Sequence, residues 1–158
     1  MNIDSAAIER SVHAAVARTK LEAGPLLEIL HSVQNELGCV PAAAVPLIAD
    51  SLNLSRAEVH GVVSFYHHFR EQPAGRCVVK LCRAEACKAM NGDALASFAT
   101  RHLGVEFGAT RADGAVTLEN VYCLGNCACA PSMTINGQLY GRASPKLLEE
   151  LVSAAENA

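Results

Sequence analysis

Four cysteines in two close pairs constrain this chain more than any other feature. They are Cys82-Arg-Ala-Glu-Ala-Cys87 and Cys123-Leu-Gly-Asn-Cys127, with 35 residues between the pairs. Gathered at strand ends and loops, four thiols give the all-sulfur shell that a structural zinc or an iron-sulfur cluster needs. No two cysteines here are separated by two residues, so neither a zinc-ribbon knuckle nor a thioredoxin-type redox pair is present. Longer spacers suit an object larger than one ion. A 2Fe-2S cluster places its two cysteine pairs on two irons, and each loop must bracket an iron with its bridging sulfides. Zinc spacings also reach four residues, so spacing alone leaves zinc open.

The setting of these thiols bears on the choice. The first twenty residues carry Asp4 and Glu9 and no apolar core segment, so no secretory signal is expected, and no apolar run approaches transmembrane length. A cytoplasmic chain keeps its thiols reduced, which points the seven cysteines to metal or redox chemistry rather than to disulfides. The net charge is only −3, and Lys and Arg are scattered, which excludes a nucleic-acid footprint and a polybasic membrane patch. A protein partner is expected instead. The 158 residues, 51% of them apolar, suffice for one typical domain or a small domain with a helical extension.

Read in order, the chain changes character once. Residues 1–20 place Ile8, Val12, Ala15 and Val16 on one helical face. Leu26, Ile29, Leu30, Val33 and Leu37 repeat at helical steps between Pro25 and Gly38, a capped second helix. Val45, Ile48, Ala49 and Leu52 mark a third, which starts no earlier than about Ala43 because Pro46 is tolerated only in a first turn. Ser55 and Glu58 form a capping-box pair opening a fourth, which runs to about His68. Pro73 and Gly75 then punctuate the boundary, giving a helical bundle over 1–72 and a second domain over 73–158.

Beyond that boundary the period switches to two. Cys77 to Leu81 reads as a strand with Cys77, Val79 and Leu81 on one face. Asp93 to Leu103 reads as a helix closed by Gly104, and Val116 to Cys123 as another strand. Met133-Thr-Ile135 and Gln138-Leu-Tyr140 flank Asn136-Gly137, a strong hairpin signal. Ser144 and Pro145 open a last helix through Val152. Strand, helix and further strands predict a mixed α and β domain.

Taken together, Cys82-x4-Cys87-x35-Cys123-Leu-Gly-Asn-Cys127, Ala130-Pro131 and the hairpin resemble the thioredoxin-like 2Fe-2S subunit shared by respiratory complex I, NAD-reducing hydrogenases and NAD-dependent formate dehydrogenases. Upstream, Gly38-Cys-Val-Pro41, Leu52-Asn-Leu54 and Glu58-Val-His-Gly-Val-Val-Ser-Phe-Tyr66 resemble that family's helical region, so the likeness covers roughly residues 20–150. Within the family, Cys82-Arg-Ala-Glu-Ala-Cys87 and the short N-terminus look most like the gamma subunit of cytoplasmic, molybdenum-dependent formate dehydrogenase. The resemblance implies a helical bundle before a thioredoxin-like domain, with one 2Fe-2S cluster on Cys82, Cys87, Cys123 and Cys127. It also implies an electron-transfer role beside a separate FMN- and NAD-binding subunit, with iron-sulfur and molybdenum subunits further off, and no turnover by this chain alone. In agreement, the sequence has no G-x-G-x-x-G opening a helix after a strand and no P-loop, so flavin and nucleotide are expected on the neighbour.

Other conspicuous residues have plainer readings. Cys77 and Cys39 are expected as packed core thiols, and Cys129 as a neighbour of the ligands rather than one of them. His60, His67 and His68 are expected on a helix surface or at a partner contact, with no acidic or further His partner. Phe65, Tyr66 and Phe69 are expected to form core. Gly125, Asn126 and Ala128 leave backbone amides open to the sulfurs.

Overall fold

The apolar repeat of the N-terminal part closes into four helices, α1 (Ser5–Thr19), α2 (Leu26–Leu37), α3 (Ala44–Leu52) and α4 (Arg56–Phe65). These assignments come from a computed structural model that describes residues 3–19 and 22–156; residues 1, 2 and 20 of the expected first helix lie outside that range. The chain divides into two compact units between Pro73 and Ala74. Within the first, Val12, Ile29, Leu30, Val33, Ile48 and Val59 are fully buried in one core. Gly38 ends α2 in the left-handed conformation at φ 79°, its N–H reaching the Gln34 carbonyl at 2.8 Å. The capping box opens α4, with the Glu58 N–H donating to Ser55 Oγ at 3.2 Å and the Ser55 N–H to Glu58 Oε2 at 2.8 Å.

Helix α4 stops at Phe65, short of the expected His68. Three long-range ties pull the following residues out of helical geometry. Gln34 Nε2 donates to the His68 carbonyl at 2.9 Å, Gln34 Oε1 accepts from the Arg70 N–H at 2.7 Å, and the Val40 N–H donates to the Arg70 carbonyl at 2.7 Å. Phe69 thereby turns into the core at 7% exposure, whereas Phe65 is 74% and Tyr66 43% exposed. The expectation of an aromatic core therefore holds for Phe69 alone.

In the second unit the elements are β1 (Cys77–Cys82), α5 (Glu85–Ala89), α6 (Gly92–Leu103), β2 (Ala109–Thr110), β3 (Val116–Val121), a 3₁₀ turn (Cys127–Cys129), β4 (Met133–Ile135), β5 (Gln138–Tyr140) and α7 (Pro145–Glu156). The sheet order is β2-β3-β1-β4-β5. Among the described residues only β1 and β3 pair in parallel, and the α5–α6 crossover makes that possible. Period-two alternation places Cys77, Val79 and Leu81 in one core with Leu95 and Ala99 of α6 and Leu148 and Val152 of α7. On the alternate parity, Lys80 and Glu119 are register partners, joined at 3.0 Å. Asn136 at φ 49° and Gly137 at φ 84° give the hairpin the two positive dihedrals of a type I′ turn. Ser144 Oγ caps α7 by accepting from the Leu147 N–H at 3.2 Å. Among the described residues, no helix is long and apolar enough to cross a membrane.

The loop between β2 and β3 is tied to α7 by Arg111, which bonds Asp113 and Glu156. The Arg111 guanidinium, with help from the Ala115 N–H, holds the Asp113 carboxyl at about 2, below its ordinary 3.8. A depressed carboxylate contributes stability that is present above its unfolded value and lost as pH falls through its folded value. Asp113→Asn should therefore lower the urea midpoint at neutral pH and flatten its fall as pH drops from 3.8 toward 2, as urea titrations across that range will show.

Candidate metal centre

The parallel pairing of β1 with β3 sets Cys82 opposite Val121, so the segments following both strands leave the sheet from one end. The Arg83 N–H then donates to the Val121 carbonyl at 2.8 Å and the Cys82 N–H to the Ser132 carbonyl at 3.1 Å. These bonds tie the first cysteine loop to the second and to the entry of β4. Cys82 ends β1, Cys87 lies in α5, Cys123 follows β3, and Cys127 begins the 3₁₀ turn. Helix α5 has no counterpart among the expected elements, although Glu-Ala-Cys-Lys-Ala consists largely of good helix formers.

The two pairs differ in environment. Cys82 and Cys87 are buried in a small apolar cluster with Ala130, while Cys123 and Cys127 are exposed, their sulfurs 3.8 Å apart. Strand β3 stops at Val121, short of the expected Cys123, because the chain turns sharply at Cys123, where φ is 84°. Such a dihedral on a non-glycine residue costs on the order of 1–3 kcal/mol and persists only where its surroundings over-determine it.

The electrostatics favour anionic sulfur at Cys82 and oppose it at Cys87 and Cys127. Burial pushes the Cys82 thiol up, but the Ala84 N–H, the Cys87 thiol and the Cys123 and Leu124 amides outweigh it and leave Cys82 below its ordinary value. Cys87 is raised by burial and by its neighbour Cys82, against a hydrogen bond from the Ser132 amide. Cys127 is raised by its hydrogen bond with Cys123 and by the Cys123 charge. The Gly125 N–H reaches Cys123 Sγ at 3.4 Å, one of the open amides expected from the sequence. Cys82, Cys87 and Cys127 become thiolates together only when a cationic group sits among them.

The donor set fits a 2Fe-2S cluster. The four thiols come as two close pairs with backbone amides directed at the sulfurs, the form that two bridged irons need.

Cys39 and Cys77 lie in the cores, each raised by burial. Cys129 is half-buried in the 3₁₀ turn. His60, expected to lack an acidic partner, lies 3.6 Å from Glu71 in an exposed pair, and such pairs contribute about 0–1 kcal/mol. Nothing in the sequence singles out Arg83, yet it braces the first loop. Its Nη2 meets Asp93 Oδ1 at 2.8 Å, and its Cζ lies 5.3 Å from the Phe107 ring centroid.

A mixed α and β fold brings four thiols to the end of its parallel strand pair, a candidate for a sulfur-ligated metal centre. The chain belongs to the thioredoxin-like 2Fe-2S ferredoxin family, which it matches over residues 12–156. It is 37% identical over 129 residues to an NADH-quinone oxidoreductase subunit of Mycobacterium tuberculosis, covering 82% of this chain and 51% of that protein. To the Pseudomonas aeruginosa protein of the same name it is 34% identical over 128 residues, covering 81% of this chain and 77% of the other. The NADP-reducing hydrogenase subunit HndA of Solidesulfovibrio fructosivorans is 28% identical over 130 residues, with 82% and 76% covered. The chain thus spans about half the length of the mycobacterial relatives. A solved NAD+-reducing NiFe hydrogenase shares the fold at TM-score 0.72 and 22% identity, over 84% of this chain and 22% of that one.

Two glycines let the ligand loops close. A Cβ on Gly92 would lie 2.5 Å from the Cys87 carbonyl oxygen, and one on Gly141 would lie 2.6 Å from the Cys129 Cβ and 2.8 Å from Asn126 Nδ2. Gly61 in α4 meets nothing within 4 Å. Gly92→Ala should cost about 1–3 kcal/mol and shift the Cys87 backbone, whereas Gly61→Ala should stabilise by up to about 1 kcal/mol. Denaturant midpoints and iron content of the two variants, measured side by side, check the contrast.

Proposed function

We propose that this chain is an electron-transfer subunit that carries one 2Fe-2S cluster on Cys82, Cys87, Cys123 and Cys127 and exchanges single electrons with the FMN of a partner NAD(H)-binding subunit. Four thiols meeting as one buried and one exposed pair at the end of β1 and β3 is the observation that carries this reading. When bound, the cluster supplies one-electron redox chemistry. The chain's own residues supply the rest. Cys82 and Cys87 anchor from the buried side, where Ala130, Val121 and Leu124 keep water away. The amides of Ala84, Cys123, Leu124 and Ser132 stabilise anionic sulfur. Exposure of Cys123 and Cys127 gives a partner's flavin a short approach.

The Cys82-Arg-Ala-Glu-Ala-Cys87 loop supports a parent complex of the cytoplasmic NAD-dependent formate dehydrogenase type, with molybdenum and further iron-sulfur subunits. A second parent, of the complex I or NAD-reducing hydrogenase type, is favoured by the names of the relatives. A zinc-stabilised assembly module is disfavoured by the paired arrangement of the thiols. Proteins that co-purify with the chain separate the two parents.

Purified under iron-replete conditions, the chain should hold about two irons and two acid-labile sulfides. Serine at Cys82, Cys87, Cys123 or Cys127 should disrupt the cluster, whereas Cys39→Ala, Cys77→Ala and Cys129→Ala should keep it. Stoichiometric zinc without sulfide would sink the proposal. Anaerobic NADH alone should leave the visible spectrum unbleached while dithionite bleaches it, because hydride delivers two electrons at once and needs a converter such as flavin. Rapid, complete reduction by NADH would mean that the chain has its own nicotinamide site. The helical unit before Pro73 supplies no ligand, so a chain beginning near Gly75 should keep the cluster and bind the flavoprotein less well. Undiminished affinity in a pull-down would remove the docking role assigned to the helices.

A further inference from the structure

We propose that Ser132 is a positioning residue that locks the exposed Cys123–Cys127 loop onto the buried Cys82–Cys87 pair, an inference that rests on these four thiols forming one ligand set. Ser132 is 2% exposed at the entry to β4 and makes contact with each part of the site. Its carbonyl accepts the Cys82 N–H at 3.1 Å, and its amide donates to the Cys87 sulfur. Its hydroxyl turns the other way. It accepts from Asn126 Nδ2 at 3.2 Å and faces the Asn126 and Cys129 carbonyls at 3.3 and 3.4 Å.

A serine hydroxyl carries one proton and two lone pairs, so it can donate to one carbonyl while accepting from the Asn126 amide. The Cys129 carbonyl already takes the Arg142 N–H at 2.6 Å and the Asn126 carbonyl the Cys129 N–H at 3.0 Å, so the hydroxyl proton adds a second bond to the nearer of the two, at Asn126. Asn126 is therefore held through both its backbone and its side chain, on the residue immediately before Cys127. The loop has little apolar burial of its own. Cys123, Gly125, Cys127 and Ala128 are exposed, and Cys123 is held at a positive φ. Its order depends on polar ties, and the Ser132 hydroxyl is the tie from this loop to the residue whose peptide serves the other pair.

Three measurements on the full-length chain test the assignment. Ser132→Ala removes the hydroxyl and keeps both peptide groups. In the cluster-free chain, amide hydrogen exchange should quicken over 123–129 and stay unchanged over 82–91. In the loaded chain, transfer of iron to a chelator should quicken about tenfold, as loss of one net hydrogen bond implies. The visible circular dichroism and the EPR g-values of the dithionite-reduced protein should also shift, because they report ligand geometry. Asn126→Ala removes the side-chain half of the same link from a half-buried position, so it should move exchange and iron release in the same direction by less where Ser132→Ala folds poorly, and the double variant should be no worse than Ser132→Ala alone. A lower urea midpoint with unchanged spectra, release and loop exchange would show a merely structural serine and overturn the proposal. So would full additivity in the double variant. Quickened exchange over 123–129 in a wild-type background that takes up no iron would uphold the hold on the loop and overturn the four-thiol reading instead.

Discussion

Everything at the metal centre depends on the parallel pairing of β1 with β3. Antiparallel neighbours would send the segments after Cys82 and Val121 to opposite ends of the sheet, whereas parallel ones release both at the same end. That arrangement requires a crossover, and α5 with α6 provides it by burying Leu95, Ala96, Ala99 and Leu103 against the sheet. The crossover has to begin abruptly, since Cys87 sits in α5 and α6 starts at Gly92. Only hydrogen at the Gly92 α-carbon leaves room for the Cys87 carbonyl. The core that stabilises the sheet is thus also what fixes the separation of the two cysteine loops.

Bringing four thiols together creates a charge problem, and the site answers it unequally. Cys82 is drawn toward the thiolate by amides that converge on it, while Cys87 and Cys127 resist ionisation because of burial or a neighbouring sulfur. Without a cation, one thiolate in this set discourages the next. A group with two iron centres held there would remove that conflict, and the amides that stabilise Cys82 would then act on its charge, one of the means by which a protein sets a cluster's potential. Burial of one pair and exposure of the other divides the work in the proposed function. In that proposal the inner pair would anchor the cluster and the outer pair would face the partner.

Much of this was legible in the residue order because the signals are local. The helical repeats of Ile29, Leu30 and Val33 and of Leu95 and Ala99, the capping box at Ser55, the Asn136-Gly137 turn and the Ser144-Pro145 start all act within a few residues, and each element forms where they predict. The misplaced ends have non-local causes. Helix α4 stops early because Gln34, more than thirty residues upstream, bonds on both sides of Phe69. Strand β3 stops early because Cys123 must turn toward Cys127. The exposure of Phe65 and Tyr66 was hidden for the same reason, since aromatic composition does not say which ring the chain turns inward.

The sequence by itself determined the chemistry available: four sulfurs in two pairs, with no C-x2-C knuckle and neither a G-x-G-x-x-G nor a P-loop pattern. Cysteine spacing is a covalent property, so it survives any folding uncertainty. Only the tertiary structure decided that Cys82 and Cys87 are the buried pair, that Arg83 braces the first loop on Asp93 and Phe107, and that Gly92, Gly141 and Ser132 let the loops meet. Those features are contacts between residues far apart in the chain, set by how strands pair and how closely backbones approach. No local propensity encodes a distance across a sheet.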